Sequence, residues 1–320
     1  MRRSKLGHIA SVIALALSQT DPVSAQAEPD IADVTYVKIE GNPLQLDVYL
    51  PANATEPVPA VIYIHGGGWR SGSKENTFPA IAVRSRGLAL VSISYRLTSQ
   101  AGEWGSAGVT WPAQIHDVKA AIRYVRAHAA DLGVAPDRLA LFGLSAGGHL
   151  ALSAAMIRDT PDLEGTLGEF TDTPSCVRAV AAWNPPTDLI NAQEDFTAPP
   201  GSALDHDEPE SGESQLVGWS GPGQGIGDIR ANIDNPDAPY PQLVRTVRDA
   251  SPLTHASPLD PPVFVAHGDL DTTVAVAQSA KLALALEAVG VQTQYLEVED
   301  GVHGLLGLPV TVATIDFLAA

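Results

Sequence analysis

Gly143-Leu144-Ser145-Ala146-Gly147 is a G-x-S-x-G pentapeptide set between an apolar run, Leu139 to Phe142, and a helix-forming run, His149 to Ile157. Strand, pentapeptide, helix is the context of a nucleophile elbow, in which a sharp turn lifts the serine hydroxyl above the edge of a sheet. Such a serine can attack a carbonyl once a base takes its proton and an acid orients that base. On the pentapeptide alone, a Gly-rich turn without chemistry is the competing reading.

A second motif narrows the choice. His65-Gly66-Gly67-Gly68-Trp69 follows the continuous apolar run Val61 to Ile64, and an H-G-G-G loop so placed supplies backbone N–H groups to a developing oxyanion. The N–H groups of Gly67, Gly68 and Ala146 are therefore read as an oxyanion hole, in which each donor contributes roughly 10²- to 10³-fold in turnover. His65 is read as a brace for the loop. The expected chain order is Ser, then Asp or Glu, then His. His267-Gly268-Asp269-Leu270-Asp271 follows the apolar run Val263 to Ala266 and offers two carboxylates; Asp271 is taken as the acid and Asp269 as a loop stabiliser. Of nine histidines only His303 lies beyond this loop, which makes it the base by elimination. The machinery calls for no cofactor and no metal.

Other chemistry-bearing residues take structural readings. Asp205-His206-Asp207-Glu208 has metal-ligand types, but consecutive residues cannot all converge on one ion, so a solvated acidic loop is expected. His149 is read as packed or hydrogen-bonded, and Arg96, His116 and Asp117 as bracing the top of a sheet. Trp104, Trp183 and Trp219 are placed in loops near the cleft, with an acyl pocket and core packing as equal alternatives.

These residues need a scaffold. Val34 to Glu40 and Leu44 to Leu50, parted by Gly41-Asn42-Pro43, read as an antiparallel hairpin. Buried strands of a parallel sheet are expected at Val61 to Ile64, Leu88 to Ile93, Leu139 to Leu144, Ala179 to Trp183 and Val263 to Ala266, with a further strand at Gln292 to Val298. Between them lie helical patterns. The clearest runs from Trp111 to Ala129, with Lys119, Arg123 and Arg126 facing away from the apolar stripe and Gly133 ending it. Strands alternating with helices imply βαβ units. From about residue 187 to 250 the rhythm fails; residues 201–237 hold eight acids against one base, seven Gly and three Pro, which reads as an irregular lid-like insertion.

The chain of 320 residues carries 19 basic and 37 acidic residues, a net charge of −18. Nucleic acid is excluded as a partner, because phosphate binding needs a clustered basic surface. Arg2, Arg3 and Lys5 before the apolar run Ile9 to Leu17, with Ala25-Gln26-Ala27 beyond, read as a signal peptide cut after Ala27. That run is too short to span a bilayer, so no stable membrane anchor is expected, and the product would be periplasmic or secreted. Cys176 is the single cysteine, so no internal disulfide can form.

With these residues in view, the sequence resembles the α/β-hydrolase superfamily, and within it the bacterial bifunctional acetylxylan/feruloyl esterases. The likeness runs from about residue 36 to the C-terminus. It rests on Tyr63 through Lys74, Ser94-Tyr95-Arg96-Leu97, Pro112 through Ala121, Phe142 through Leu150, and Ala250-Ser251-Pro252-Leu253-Thr254. Beyond the signal peptide read at 1–27, the resemblance implies one α/β-hydrolase catalytic domain, 28–320. That domain is expected to have a mostly parallel central sheet flanked by helices and an N-terminal antiparallel hairpin; the extra residues around Trp104 and the lid-like acidic insertion depart from the family's pattern. The resemblance implies carboxylic-ester hydrolysis without cofactor, on a small-molecule or polysaccharide-linked ester, with Ser145, Asp271 and His303 as triad. An amide hydrolase of arylformamidase or peptidase type on the same fold is the alternative.

Overall fold

The computed structural model describes residues 28–158, 160–196 and 205–320; the expected signal peptide lies outside them. Eight strands form one sheet in the order β1-β2-β4-β3-β5-β6-β7-β8. β1 (Ile31–Ile39) and β2 (Asn42–Tyr49) are the expected hairpin. Its turn centres on Glu40 and Gly41, both at positive φ, rather than on Gly41 to Pro43, and Asn42 already pairs with Ile39. β3 (Val58–Ile64), β4 (Ala89–Ile93), β5 (Val134–Leu144), β6 (Val180–Trp183), β7 (Val263–Gly268) and β8 (Thr293–Val298) pair with one another in parallel. Among the described residues only the β1–β2 and β2–β4 pairs are antiparallel.

The helices among the described residues are α1 (Ala80–Ser85), α2 (Ala113–Ala127), α3 (Ala146–Met156), α4 (Pro161–Glu164), α5 (Gly212–Leu216), α6 (Ile226–Ala231), α7 (Tyr240–Asp249), α8 (Val276–Ala288) and α9 (Leu308–Ala319). Because successive side chains of a strand point to opposite faces, the sheet has two cores. Ile62 and Ile64 of β3 pack with α2, α3 and α8, whereas Val61 and Tyr63 pack with α1 and α9. Both faces being covered explains why the central strands read as unbroken apolar runs.

Two expectations about charge are corrected. Lys119 and Arg123 do not face solvent; both are about 1% exposed, and each lies 2.7 Å from an oxygen of Glu164 at the end of α4. The apolar stripe of α2 is real, but α4 covers its other side and supplies the counter-charge. The described part of the insertion, 187–196 and 205–250, is likewise not irregular throughout. It contains α5, α6 and α7, and three of its acids face inward: Asp207 binds Arg230, Asp228 accepts from Trp219, and Glu213 is buried.

Candidate active site

Ser145 closes β5 and caps α3 with φ 56° and ψ −125°, a left-handed conformation that a non-glycine residue holds only where the surroundings impose it. The imposition is visible. Ser145 N donates to Trp183 O at 2.8 Å. A Cβ on Gly147 would stand 2.0 Å from Ile64 O, and one on Gly143 2.1 Å from Gly147 O. Both glycines of the pentapeptide are thus required by close backbone approach.

The structure brings Ser145, His303 and Asp271 together from three separate loops. His303 Nε2 lies 3.0 Å from Ser145 Oγ, and His303 Nδ1 lies 2.7 Å from Asp271 Oδ2. Asp269 is exposed and stands apart; its N–H donates to Val298 O. Asp271 Oδ1 accepts from the N–H groups of Thr273 and Val274 at 2.8 and 2.9 Å. Burial by itself would raise this carboxyl, but hydrogen bonds from His267, His303 and Val274 N–H hold it well below the usual carboxylate range.

Two features that sequence reasoning missed set the spacing of these loops. Gly268 and Gly301 touch backbone to backbone, since a Cβ on Gly268 would fall 2.3 Å from Gly301 C. Asn184, wholly buried after β6 and at φ 46°, accepts from Gly268 N–H at 3.1 Å and donates Nδ2–H to Gly304 O at 2.9 Å. One amide therefore ties the end of β7, just before Asp271, to the loop that carries His303. An Asn directly after an apolar run was the available signal, and it reads as an ordinary turn residue until the distant segments are seen together.

The H-G-G-G loop lies across the elbow: a Cβ on Gly66 would meet Leu144 O at 2.8 Å. The N–H groups of Gly67, Gly68 and Ala146 donate to no acceptor among the described residues. His65 braces the loop as expected, stacked on Tyr95 with ring centroids 4.4 Å apart and with Nδ1 2.8 Å from Gly66 O. Desolvation lowers its pKa to about 4. Trp69, itself at φ 59°, donates its indole N–H to His149 Nδ1 at 3.1 Å, while His149 Nε2 lies 2.6 Å from Ala250 O. A carbonyl can only accept, so Nε2 carries the proton. Burial lowers the His149 pKa to about 4 as well, which keeps the ring neutral.

Ser145 and His303 open on a cavity of about 810 Å³. Tyr63, Phe78 and Leu144 line it with apolar surface, and Asp205, His206, Ser211 and Glu213 of the insertion add polar surface. The expected solvated loop is corrected here. His206 is buried, with Nδ1 3.0 Å from Glu213 Oε1. Burial opposes its charge, yet the Glu213 carboxylate and the Thr273 carbonyl raise its pKa above the ordinary value. The insertion also presses on the H-G-G-G loop, since a Cβ on Gly212 would come within 3.1 Å of Gly68 O. None of Trp104, Trp183 and Trp219 lines the cavity; Trp69 does. Trp183 stands in β6, not in a loop, and its indole N–H is satisfied by Thr314 Oγ1 at 2.9 Å inside the α1/α9 core.

Arg96 and Asp117 form the expected brace, a buried pair with Nη2 2.7 Å from Oδ1, and His116 contacts Asp162 O at 2.7 Å. Among the described residues no helix is long and apolar enough to cross a membrane.

Comparison with known proteins places this arrangement. A family model described as BD-FAE matches residues 46–286. The chain is 31% identical over 250 residues to the esterase LipQ of Mycobacterium tuberculosis, across 77% of this chain and 50% of that protein. It is 29% identical over 258 residues to the esterase LipC of the same organism, across 78% of this chain and 54% of that one. The chain thus spans about half the length of these relatives. A truncated carbohydrate esterase from gut microbiota superposes with TM-score 0.71 at 27% identity, covering 93% of this chain and 97% of the other. A bifunctional GH43-CE protein of Bacteroides eggerthii superposes with TM-score 0.72 at 29% identity, over 90% of this chain and 34% of that one. The mostly parallel sheet, the elbow and the extent of the family match lead to one assignment: the chain belongs to the BD-FAE family, on the α/β-hydrolase fold.

Proposed function

We propose that this protein is an exported carboxylic ester hydrolase that works through a Ser145–His303–Asp271 triad. The observation that carries the reading is the hydrogen-bonded chain from Asp271 Oδ2 through His303 to Ser145 Oγ, 2.7 and 3.0 Å, at the floor of a cavity of about 810 Å³. Ser145 Oγ attacks the ester carbonyl carbon as His303 Nε2 takes its proton. The oxyanion is held by the N–H groups of Gly67, Gly68 and Ala146. His303 then gives the proton to the departing alcohol, and water releases the acyl group by the same route. Asp271 orients His303 and stabilises its charged form.

The mixed apolar and polar lining suits a short or aromatic acyl group joined to a hydroxyl-rich alcohol. The similarity to a carbohydrate esterase supports a carbohydrate-linked ester as substrate, with acetyl or feruloyl groups on plant polysaccharide as the proposed case. Export rests on the basic start, the Ile9 to Leu17 run and Ala25-Gln26-Ala27; N-terminal sequencing of protein recovered outside the cytoplasm is expected to begin at Glu28, and an intact Met1 there would refute it.

Ser145→Ala is expected to lower turnover of 4-nitrophenyl acetate by on the order of 10⁶, as removal of a triad nucleophile does elsewhere. Near-full activity in that variant would overturn the assignment. Acetylated xylan, methyl ferulate and an N-formyl arylamine, run side by side, then separate ester from amide hydrolysis.

A further inference from the structure

We propose that His267, a buried histidine outside the triad, is a positioning residue for Asp271, acting as a second imidazole donor on the oxygen that receives His303. His267 sits in β7 with no exposed surface and does not line the cavity, so it touches neither substrate nor the reacting atoms. Its Nε2 lies 3.0 Å from Val274 O and 3.2 Å from Asp271 Oδ2, and its Nδ1 lies 2.6 Å from Ser279 Oγ on α8. The carbonyl and the ionised carboxylate can only accept, so Nε2 carries a hydrogen shared between them, and Nδ1 accepts from the serine hydroxyl.

The consequence lies in how the charge of Asp271 is distributed. Oδ1 accepts from the N–H groups of Thr273 and Val274, while Oδ2 is shared by His303 and His267. Both oxygens are therefore fixed in direction, which fixes the ring plane of His303. The carboxylate is also partly neutralised by donors other than the base. A carboxylate with fewer donors would hold the His303 imidazolium more tightly and leave less of the neutral, proton-accepting form near neutral pH. The charged and titratable groups around this carboxylate are His303 from its own loop, His267 from β7, and His206 with its partner Glu213 from the insertion, which faces it through the Thr273 carbonyl.

The test is the pH dependence of kcat/KM on 4-nitrophenyl acetate in His267→Phe and His267→Gln. In His267→Phe the acid limb is expected to move upward by roughly half a pH unit or more, with turnover down about tenfold from the loss of one hydrogen bond to a charged group. In His267→Gln, whose amide keeps a donor, the limb is expected to return towards the wild-type position. An acid limb that stays in place in both variants, whatever the residual activity, would mean that His267 only fills space. Should neither variant fold, ¹⁵N imidazole spectra of the wild-type protein decide: the neutral Nε2–H tautomer is expected for His267, and an Nδ1–H tautomer overturns the proposal. The inference rests on Asp271 being the acid. Full activity in Asp271→Asn would remove that reading, whereas an unmoved limb in the His267 variants removes only this one.

Discussion

Asn184 contributes one amide to two loops, and its worth can be measured apart from its backbone. Asn184→Gly accepts the φ of 46° without strain but removes the bridge between Gly268 and Gly304. We expect turnover to fall up to about thirtyfold, with KM within about threefold, because two hydrogen bonds of about 1 kcal/mol each are lost from loop placement and none from substrate. The rate of labelling by a fluorophosphonate reports the same change at Ser145, and an unchanged rate would make Asn184 a turn residue only. At this scale the sequence was legible where chemistry leaves a motif. Ser145 and Gly67 announce themselves by pattern, and His303 by being last. Asn184, His267 and the Gly268–Gly301 contact do not, because their roles exist only after distant segments meet.

The elements hold the site by burying groups that must stay neutral. His65 and His149 brace the H-G-G-G loop, and both have pKa values lowered to about 4 by burial. An unfolded histidine titrates near 6.5, so the unfolded chain binds more protons between these values. Stability from these two rings is complete above about pH 6.5 and is lost as pH falls towards 4. Urea unfolding at pH 4.5 is expected to show a loss on the order of 2 kcal/mol from each ring relative to pH 7. His206 has the opposite sign: its raised pKa adds stability below about 6.5 that fades as pH rises through the folded value. Stability that stays flat from pH 7 to 4.5 would contradict the neutral assignment of His65 and His149. Strands and the α2 pattern were readable from periodicity, but the burial of Lys119 and Arg123 was not. Their counter-charge, Glu164, lies 45 and 41 residues away in sequence, and a helix face is exposed or covered only by what packs on it.

The whole molecule is strongly acidic, with a net charge of −18. Several acids of the insertion are spent on internal pairs, but Asp205, Glu208 and Glu210 are exposed beside the cavity that Asp205 lines. Anionic esters such as a hemisuccinate should therefore be turned over severalfold more slowly than neutral analogues at low salt. The gap should narrow in 0.5 M salt, since screening shortens the reach of exposed charges to a few ångströms. A ratio indifferent to salt would assign these acids to solubility alone. The fold class followed from strands alternating with helices, whereas the helical build of the insertion was hidden by its glycines and acids, which look the same in a loop. The imidazole of His149 carries one further consequence, for how the protein comes into being. It joins Trp69 and Ala250, which lie 80 residues before it and 101 after it. Contacts of such separation close late in folding, and synthesis proceeds from the N-terminus. A growing chain thus holds its H-G-G-G loop and Ser145 long before it holds their frame, and on the proposed triad hydrolytic competence must wait for the segment that carries His303.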